Sequence, residues 1–265
     1  MCSREAFSVN RLGGEKEAQA ITPQSLTAHY QEQIANSAME ILYCGSAEPK
    51  RVESALLSAL QSLPARVDTK LPESEIILYP PKDSPRRFTE ELDVSQCKLV
   101  VGFRLGKAMT PPLDYPAMMV FNSIYGSGAT SKLFRNVREK LALCYYASSV
   151  IDKHKGVMLV SSGIEFSNFE IALDEILAQL EHVKNGEISE HEMLSAKRSI
   201  TTSIKSAMDR PSGLLELYFD SLVSPVQYRP DELCDMIEAV THDRVIETAS
   251  EIGTDSIFFL TGKEG

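Results

Sequence analysis

The sequence lacks the marks of most enzyme classes. It has no nucleophile elbow, no P-loop and no dinucleotide fingerprint. Gly126-Ser127-Gly128 is too short for a phosphate cradle and lacks the following Gly-Lys. Cysteine is sparse: five residues, an odd count, with no Cys-x-x-Cys pair. Cys44, Cys97 and Cys144 lie in apolar strand-like runs and read as buried free thiols; Cys2 and Cys234 are less placed. A reducing, cytoplasmic setting fits. No apolar run is long enough to span a bilayer. Residues 1–17 have no h-region, so no signal peptide is expected. Basic residues are too few to balance the acidic ones, 27 against 37, and the net charge is −10. That excludes nucleic acid or an anionic membrane surface as the main partner.

What is present is a chain of 265 residues with 43% apolar content, enough for a large core and one or two domains. Residues 1–20 are polar and read as a loose end. Thr22-Pro23 starts a helix, with Thr22 as N-cap and Leu26, Tyr30 and Ile34 as its apolar stripe. Residues 39–44 read as a strand ending at Gly45, and Pro49 opens another helix. Five prolines between 64 and 90 mark a linker, with a short strand at 76–79 inside it.

A second unit follows. Residues 96–104 read as a strand and 112–125 as an apolar helix. Two strands, 145–151 and 157–162, flank a hairpin turn at 152–156. Ser167–Glu170 and Ser189–Glu192 read as capping boxes, each opening a long helix. Shorter helices lie near 214–222 and 231–239; Thr241 caps another, and 256–260 is a final strand. The order threonine cap, helix, apolar strand, glycine occurs twice, at 22–45 and at 241–262. An internal duplication accounts for the repetition.

The chain is organised around residues 121–150. An apolar helix end breaks at Gly126-Ser127-Gly128, and Ala129-Thr130-Ser131 opens a charged helix carrying Lys132, Arg135, Arg138, Glu139 and Lys140. Arg138 and Tyr145 stand seven residues apart. On an unbroken helix they would share a face, roughly 10 Å apart. A helix ending near Leu141 would instead lean Arg138 toward Tyr145 at the start of a strand. Together they could hold a carbonyl or carboxylate. On spacing alone the plainer alternative, a surface Arg and a half-buried strand Tyr, is favoured. Strand alternation puts Tyr145 and Tyr146 on opposite faces, one in the core and one in a cleft.

The run Gly126-Ser127-Gly128-Ala129-Thr130-Ser131-Lys132-Leu133-Phe134, followed by Val137-Arg138-Glu139-Lys140 and Cys144-Tyr145, resembles the second-half signature of the insulinase/pitrilysin family of zinc metallopeptidases. That family includes the mitochondrial processing peptidases and their bacterial relatives. The resemblance covers residues 86–265 and, more weakly, 20–64.

The resemblance implies an α+β fold, an antiparallel sheet with helices packed on one face. It implies that 1–64 is the tail of a first half-domain whose front is missing, that 65–90 is a linker, and that 91–265 is the second, C-terminal half-domain. The family's zinc motif, H-x-x-E-H, belongs to that missing front. The five histidines here form no such pair; the nearest approach, Glu187-Ile188-Ser189-Glu190-His191, has Glu in place of the first His. No metal or other cofactor is therefore expected in this chain, and zinc only in a missing half or partner.

The family match assigns Arg138 and Tyr145 as the catalytic pair, contacting the substrate backbone from opposite the zinc, with Tyr145 as the cleft residue. Gly126, Gly128 and Ser131 are expected to line the substrate-binding wall. The expected function is a non-catalytic C-terminal half, inactive alone, that supplies this wall to a zinc-bearing half or paralogous subunit. Its partners would be that subunit and a peptide substrate, and an uncovered apolar face would drive homo- or hetero-oligomers. The alternative is a permanently inactive homologue that only scaffolds or binds peptides; a further one is an interaction domain matching by coincidence.

Overall fold

The computed structural model describes residues 1–3, 5–61, 63, 84–106, 114–222 and 228–262. In chain order its elements are α1 (Glu15–Gln19), α2 (Pro23–Asn36), α3 (Pro49–Leu60), β1 (Arg86–Leu92), β2 (Cys97–Arg104), α4 (Tyr115–Tyr125), a π-helix (Leu133–Lys140), β3 (Cys144–Asp152), β4 (Val157–Ile164), α5 (Phe169–Lys184), α6 (Glu190–Met208), α7 (Pro211–Leu222), α8 (Pro230–Ala239), α9 (His242–Ser250) and β5 (Gly253–Gly262). The fold is α+β. It divides into two compact units: Met1 with 74–208 and 224–265, and 2–73 with 209–223.

The larger unit is built on a five-stranded sheet in the order β1-β5-β2-β4-β3. The pairings are antiparallel except for β1 with β5, which is parallel. Alternation decides which side is buried. Leu99, Val101 and Phe103 of β2, Met158 and Val160 of β4, and Ile257 and Phe259 of β5 point into the core. Phe259 packs on Phe169 at the start of α5, ring centroids 4.2 Å apart. Tyr125 closes α4, fully buried, with its hydroxyl donating to the Ile176 carbonyl at 3.0 Å. Burial pushes its phenol far above the ordinary value.

Two buried ion pairs tie elements together. Asp255 on β5 accepts from Arg104 Nε at 3.2 Å and from Arg86 at 3.0 Å, and Ser256 donates to it as well. Burial alone would raise the Asp255 carboxyl, but these donors outweigh it and hold the group below its usual range. Lys132 reaches Glu192 at 2.9 Å, both side chains about 90% buried.

The smaller unit is different in kind. Thr22 and Ser25 form a reciprocal cap, with Ser25 N–H to Thr22 Oγ1 at 3.1 Å and Thr22 N–H to Ser25 Oγ at 3.0 Å. Pro23 follows at the first helical position. Yet α2 and α3 bury none of their residues. The strand expected at 39–44 does not form: the stretch is irregular, with Met39, Ile41 and Tyr43 exposed at 42, 46 and 51%. A strand needs a neighbour to take its backbone bonds, and this unit offers none among its described residues.

Two other local expectations need correction, and one lies out of reach. No capping box forms at Ser167. Residues Phe166–Asn168 make a 3₁₀ turn, and Asn168 donates to the Leu143 carbonyl at 3.4 Å instead of capping α5. β1 was not anticipated and occupies the end of the proline-rich stretch from Arg86 onward. Every residue of it is exposed, so no apolar alternation betrays it. The short strand expected at 76–79 lies outside the described residues. The box at Ser189 does form: Ser189 N–H donates to Glu192 Oε2 at 2.8 Å, and Glu192 N–H to Ser189 Oγ at 3.3 Å.

Candidate functional site

The glycine turn joins α4 to β3 by close backbone approach. The Gly126 carbonyl accepts from Ser149 N–H at 3.1 Å, stitching the turn to the outer edge of the sheet. A Cβ on Gly126 would stand 2.7 Å from Leu133 and would strike the Ser149 hydroxyl, so only glycine fits. Gly128 is needed for another reason. Nothing lies within 4 Å of its would-be Cβ, but its φ of +123° belongs to glycine.

Ser131 is fully buried. Its hydroxyl donates to the Gly128 carbonyl at 2.8 Å and accepts from Phe134 N–H at 3.3 Å. The structure thus places Ser131 as a cap beneath the turn. The helix it opens is a π-helix, in which Leu141 N–H reaches the Asn136 carbonyl five residues back at 3.2 Å. Such wide turns are rare and often sit at functional sites. Leu133 and Val137 anchor it in the core, and Asn136 is clamped to Gln179 of α5 at 2.6 Å. Lys132, one of the charges this helix was expected to carry, is the buried partner of Glu192.

On the outward side the π-helix presents Arg138. Its guanidinium carbon stands 4.6 Å from the centre of the Phe134 ring, and its side chain is 41% exposed. Cation–π contact fixes the side chain while leaving its forked donors open to a ligand. Before it lies a hollow of about 300 Å³, lined by Gly126, Gly128, Phe134, Arg138, Tyr146 and Ser148 among others.

The expected partner is not in this hollow. The pairing of β3 with β4 shifts register between Cys144 and Tyr146, which leaves Tyr145 as the extra residue of a bulge. Tyr145 is 63% exposed and Tyr146 39% exposed, so neither packs in the core as alternation requires. Tyr145 donates to Glu165 at 3.1 Å, and that hydrogen bond raises its phenol pKa. Tyr146 takes the place beside Arg138, its ring lying across Gly163. The structure therefore brings together Gly126, Gly128 and Arg138 of the anticipated residues. It sets Ser131 beneath them and Tyr145 outside the hollow's lining, and it adds Phe134, Tyr146 and Ser148. Phe134 was recoverable from its i, i+4 spacing to Arg138; the bulge had no signal in composition.

Cys144 lies at the bulge. Burial raises its thiol pKa, partly opposed by Ser162 and by the positive field of Arg138. The histidines are scattered over α2, the 152–156 turn, α5, α6 and α9. Among the described residues no three His, Cys, Asp or Glu side chains gather closely enough to hold a metal ion. Nor is any described helix long and apolar enough to cross a membrane.

Comparisons with known proteins show the family and the fold. The family described as "Peptidase M16 inactive domain" matches residues 20–200. The "Probable inactive metalloprotease YmfF" of Bacillus subtilis is 32% identical over all 265 residues of this chain, which span 61% of that protein. A conserved protein from Enterococcus faecalis superposes with a TM-score of 0.82 at 30% identity, covering 96% of this chain and 59% of the other. A peptidase M16 inactive domain from Pseudomonas fluorescens shares the fold, TM-score 0.71 at 18% identity, over 100% of this chain and 63% of that one. The chain thus spans about three fifths of the length of these relatives.

Proposed function

The chain belongs to the peptidase M16 inactive-domain family, and from that premise we propose that it lends a peptide-binding wall to a zinc-bearing half or partner chain. The observation that carries this reading is the Arg138 hollow. A guanidinium held over Phe134, half open to solvent, faces a concavity floored by the glycine turn and closed by Tyr146. An extended peptide carries one carbonyl per residue and few charges. Forked N–H donors fixed beside a floor without side chains suit such a backbone. Arg138 would steady the substrate carbonyl as negative charge develops there, while zinc chemistry proceeds on the other half.

In this reading Gly126 and Gly128 keep the floor low, Ser131 holds the turn in shape, and Tyr145 acts from its place beside Glu165. The test is peptide turnover by the chain alone, by a zinc-bearing M16 homologue alone, and by the two mixed. Turnover that rises on mixing supports the proposal; turnover unchanged by this chain at saturating excess refutes it. A second reading, a permanently inactive scaffold, is favoured by the name of the Bacillus subtilis relative. It predicts peptide binding by the mixture with no gain in turnover.

A further inference from the structure

A second cavity, of about 380 Å³, lies between α4, the edge strand β3 and α6, and shares no lining residue with the Arg138 hollow. The two stand side by side on the same two elements. Gly126 and Gly128 of the turn line the hollow, and Ser127 lines the cavity. Tyr146, Ala147 and Ser148 of β3 line the hollow, and Ser149, Val150 and Ile151 line the cavity. The border between them is the hydrogen bond from Ser149 N–H to the Gly126 carbonyl.

The cavity's walls are apolar: Met118 and Met119 from α4, Val150 and Ile151 from β3, Ile200 and Ile204 from α6. Two of its hydroxyls are turned back on the chain. Ser149 donates to the Asn122 side-chain oxygen at 2.7 Å, and Ser203 to the Ser199 carbonyl at 2.9 Å. No carboxylate lines the cavity, and its lining cation, Lys153, lies with Nζ 4.5 Å from the centre of the Tyr115 ring. Pockets of about 300–1,000 Å³ with such walls bury apolar groups.

The middle of the hollow's stretch of β3, Ala147, and the middle of the cavity's, Val150, are three residues apart. An extended peptide advances as a strand does, about 3.3 Å per residue. We propose that the cavity is a specificity pocket. It takes a large apolar side chain, Leu, Met or Phe, about three residues along the peptide from the carbonyl that Arg138 holds. This rests on the reading of the hollow as a peptide-binding wall. The substrate class is then an extended peptide with an apolar residue at a fixed distance from the bond to be cut.

The experiment uses the intact chain and short capped peptides of alanine and serine. Each carries a single leucine, placed differently across the set, and the parent has alanine instead. By calorimetry on the chain alone, leucine should tighten binding roughly tenfold or more. Ser199→Phe and Ser203→Phe, both at exposed positions on α6, should fill the space and erase that gain without shifting the melting temperature. Arg138→Ala should weaken binding of the leucine peptides as well, since one peptide spans both sites. With a zinc-bearing M16 homologue added, the cut should follow the leucine through the set, about three residues from it, as mass spectrometry reads. The proposal is overturned if leucine gives no gain, if the gain survives in both serine variants, if Arg138→Ala leaves leucine-peptide binding untouched, or if the cut ignores the leucine. A gain that the variants erase, with no turnover on mixing, upholds the pocket and defeats only the contribution to turnover.

Discussion

Thr22 and Thr241 each cap a helix, and each helix leads into an apolar stretch that ends at a glycine. From there the two regions part. After Thr241, α9 buries Val245, Thr248 and Ala249, and β5 lies between β1 and β2 with Ile257 and Phe259 at 3 and 6% exposure. After Thr22, α2 buries nothing, and 39–44 stays irregular with its apolar residues exposed. The local signals are alike, down to side-chain oxygens that accept from the third backbone N–H of each helix. The difference is the neighbours. β5 has a strand on either side, and 39–44 has none among the described residues of its unit. Strand propensity describes a fit to a half-buried pleated surface, and without that surface it is not realised.

The comparison breaks most sharply under a buried charge. Ile257→Asp should cost more than about 5 kcal/mol and unfold the larger unit, because the carboxylate has no partner there. Ile41→Asp should change stability by less than about 0.5 kcal/mol. Denaturant unfolding of the two variants, followed by circular dichroism, checks both. A comparable loss at Ile41 would mean that 39–44 is already paired in solution.

A smaller effect is expected where Lys132 meets Glu192. Lys132→Met strands the Glu192 carboxylate in a site about 90% buried and should destabilise by about 3 kcal/mol. Lys132→Met with Glu192→Leu should recover most of that. No equivalent pair involves α2 or α3 among the described residues, so the loss should fall on the larger unit alone, as amide exchange would show.

Acid should separate the two units next. Burial acts to raise both Glu192 and Asp255. Hydrogen bonds from Ser189 and Lys132, and from Ser256, Arg86 and Arg104, outweigh it and lower both from their ordinary 4.5 and 3.8. A carboxyl lowered in the folded state adds stability that is complete above its unfolded pKa and is lost as pH falls through the folded value. The larger unit should therefore hold its melting temperature from neutral pH down to about pH 5 and lose it below about pH 4. Lys132→Met should flatten part of that fall.

A small structural effect is also expected at Arg138. Its side chain is half open and held by one aromatic contact and a loose 3.8 Å approach to Glu139, so Arg138→Ala should cost less than about 1 kcal/mol of stability. Thermal melting checks this, and a large loss would make Arg138 a structural residue.

How much of this was legible follows from the same reasoning. β2, β4, α6 and β5 were readable because apolar period and caps point the same way. The glycine turn was readable because two glycines, three and five residues before a capping serine, have little other use. β1 was hidden because it is an edge strand with no buried face. The burial of Lys132 left no local signal, because its partner lies 60 residues away on α6. Strict alternation put one of Tyr145 and Tyr146 in the core, and one extra residue at the start of β3 leaves both exposed.

The most direct test of the functional account is peptide turnover by this chain mixed with a zinc-bearing M16 homologue, compared with Arg138→Ala at equal folded concentration. The account predicts a fall in kcat/KM of roughly tenfold or more, the scale expected when one positioned donor to a developing oxyanion is removed. Equal turnover with and without the guanidinium, in a variant shown to be folded, would contradict it.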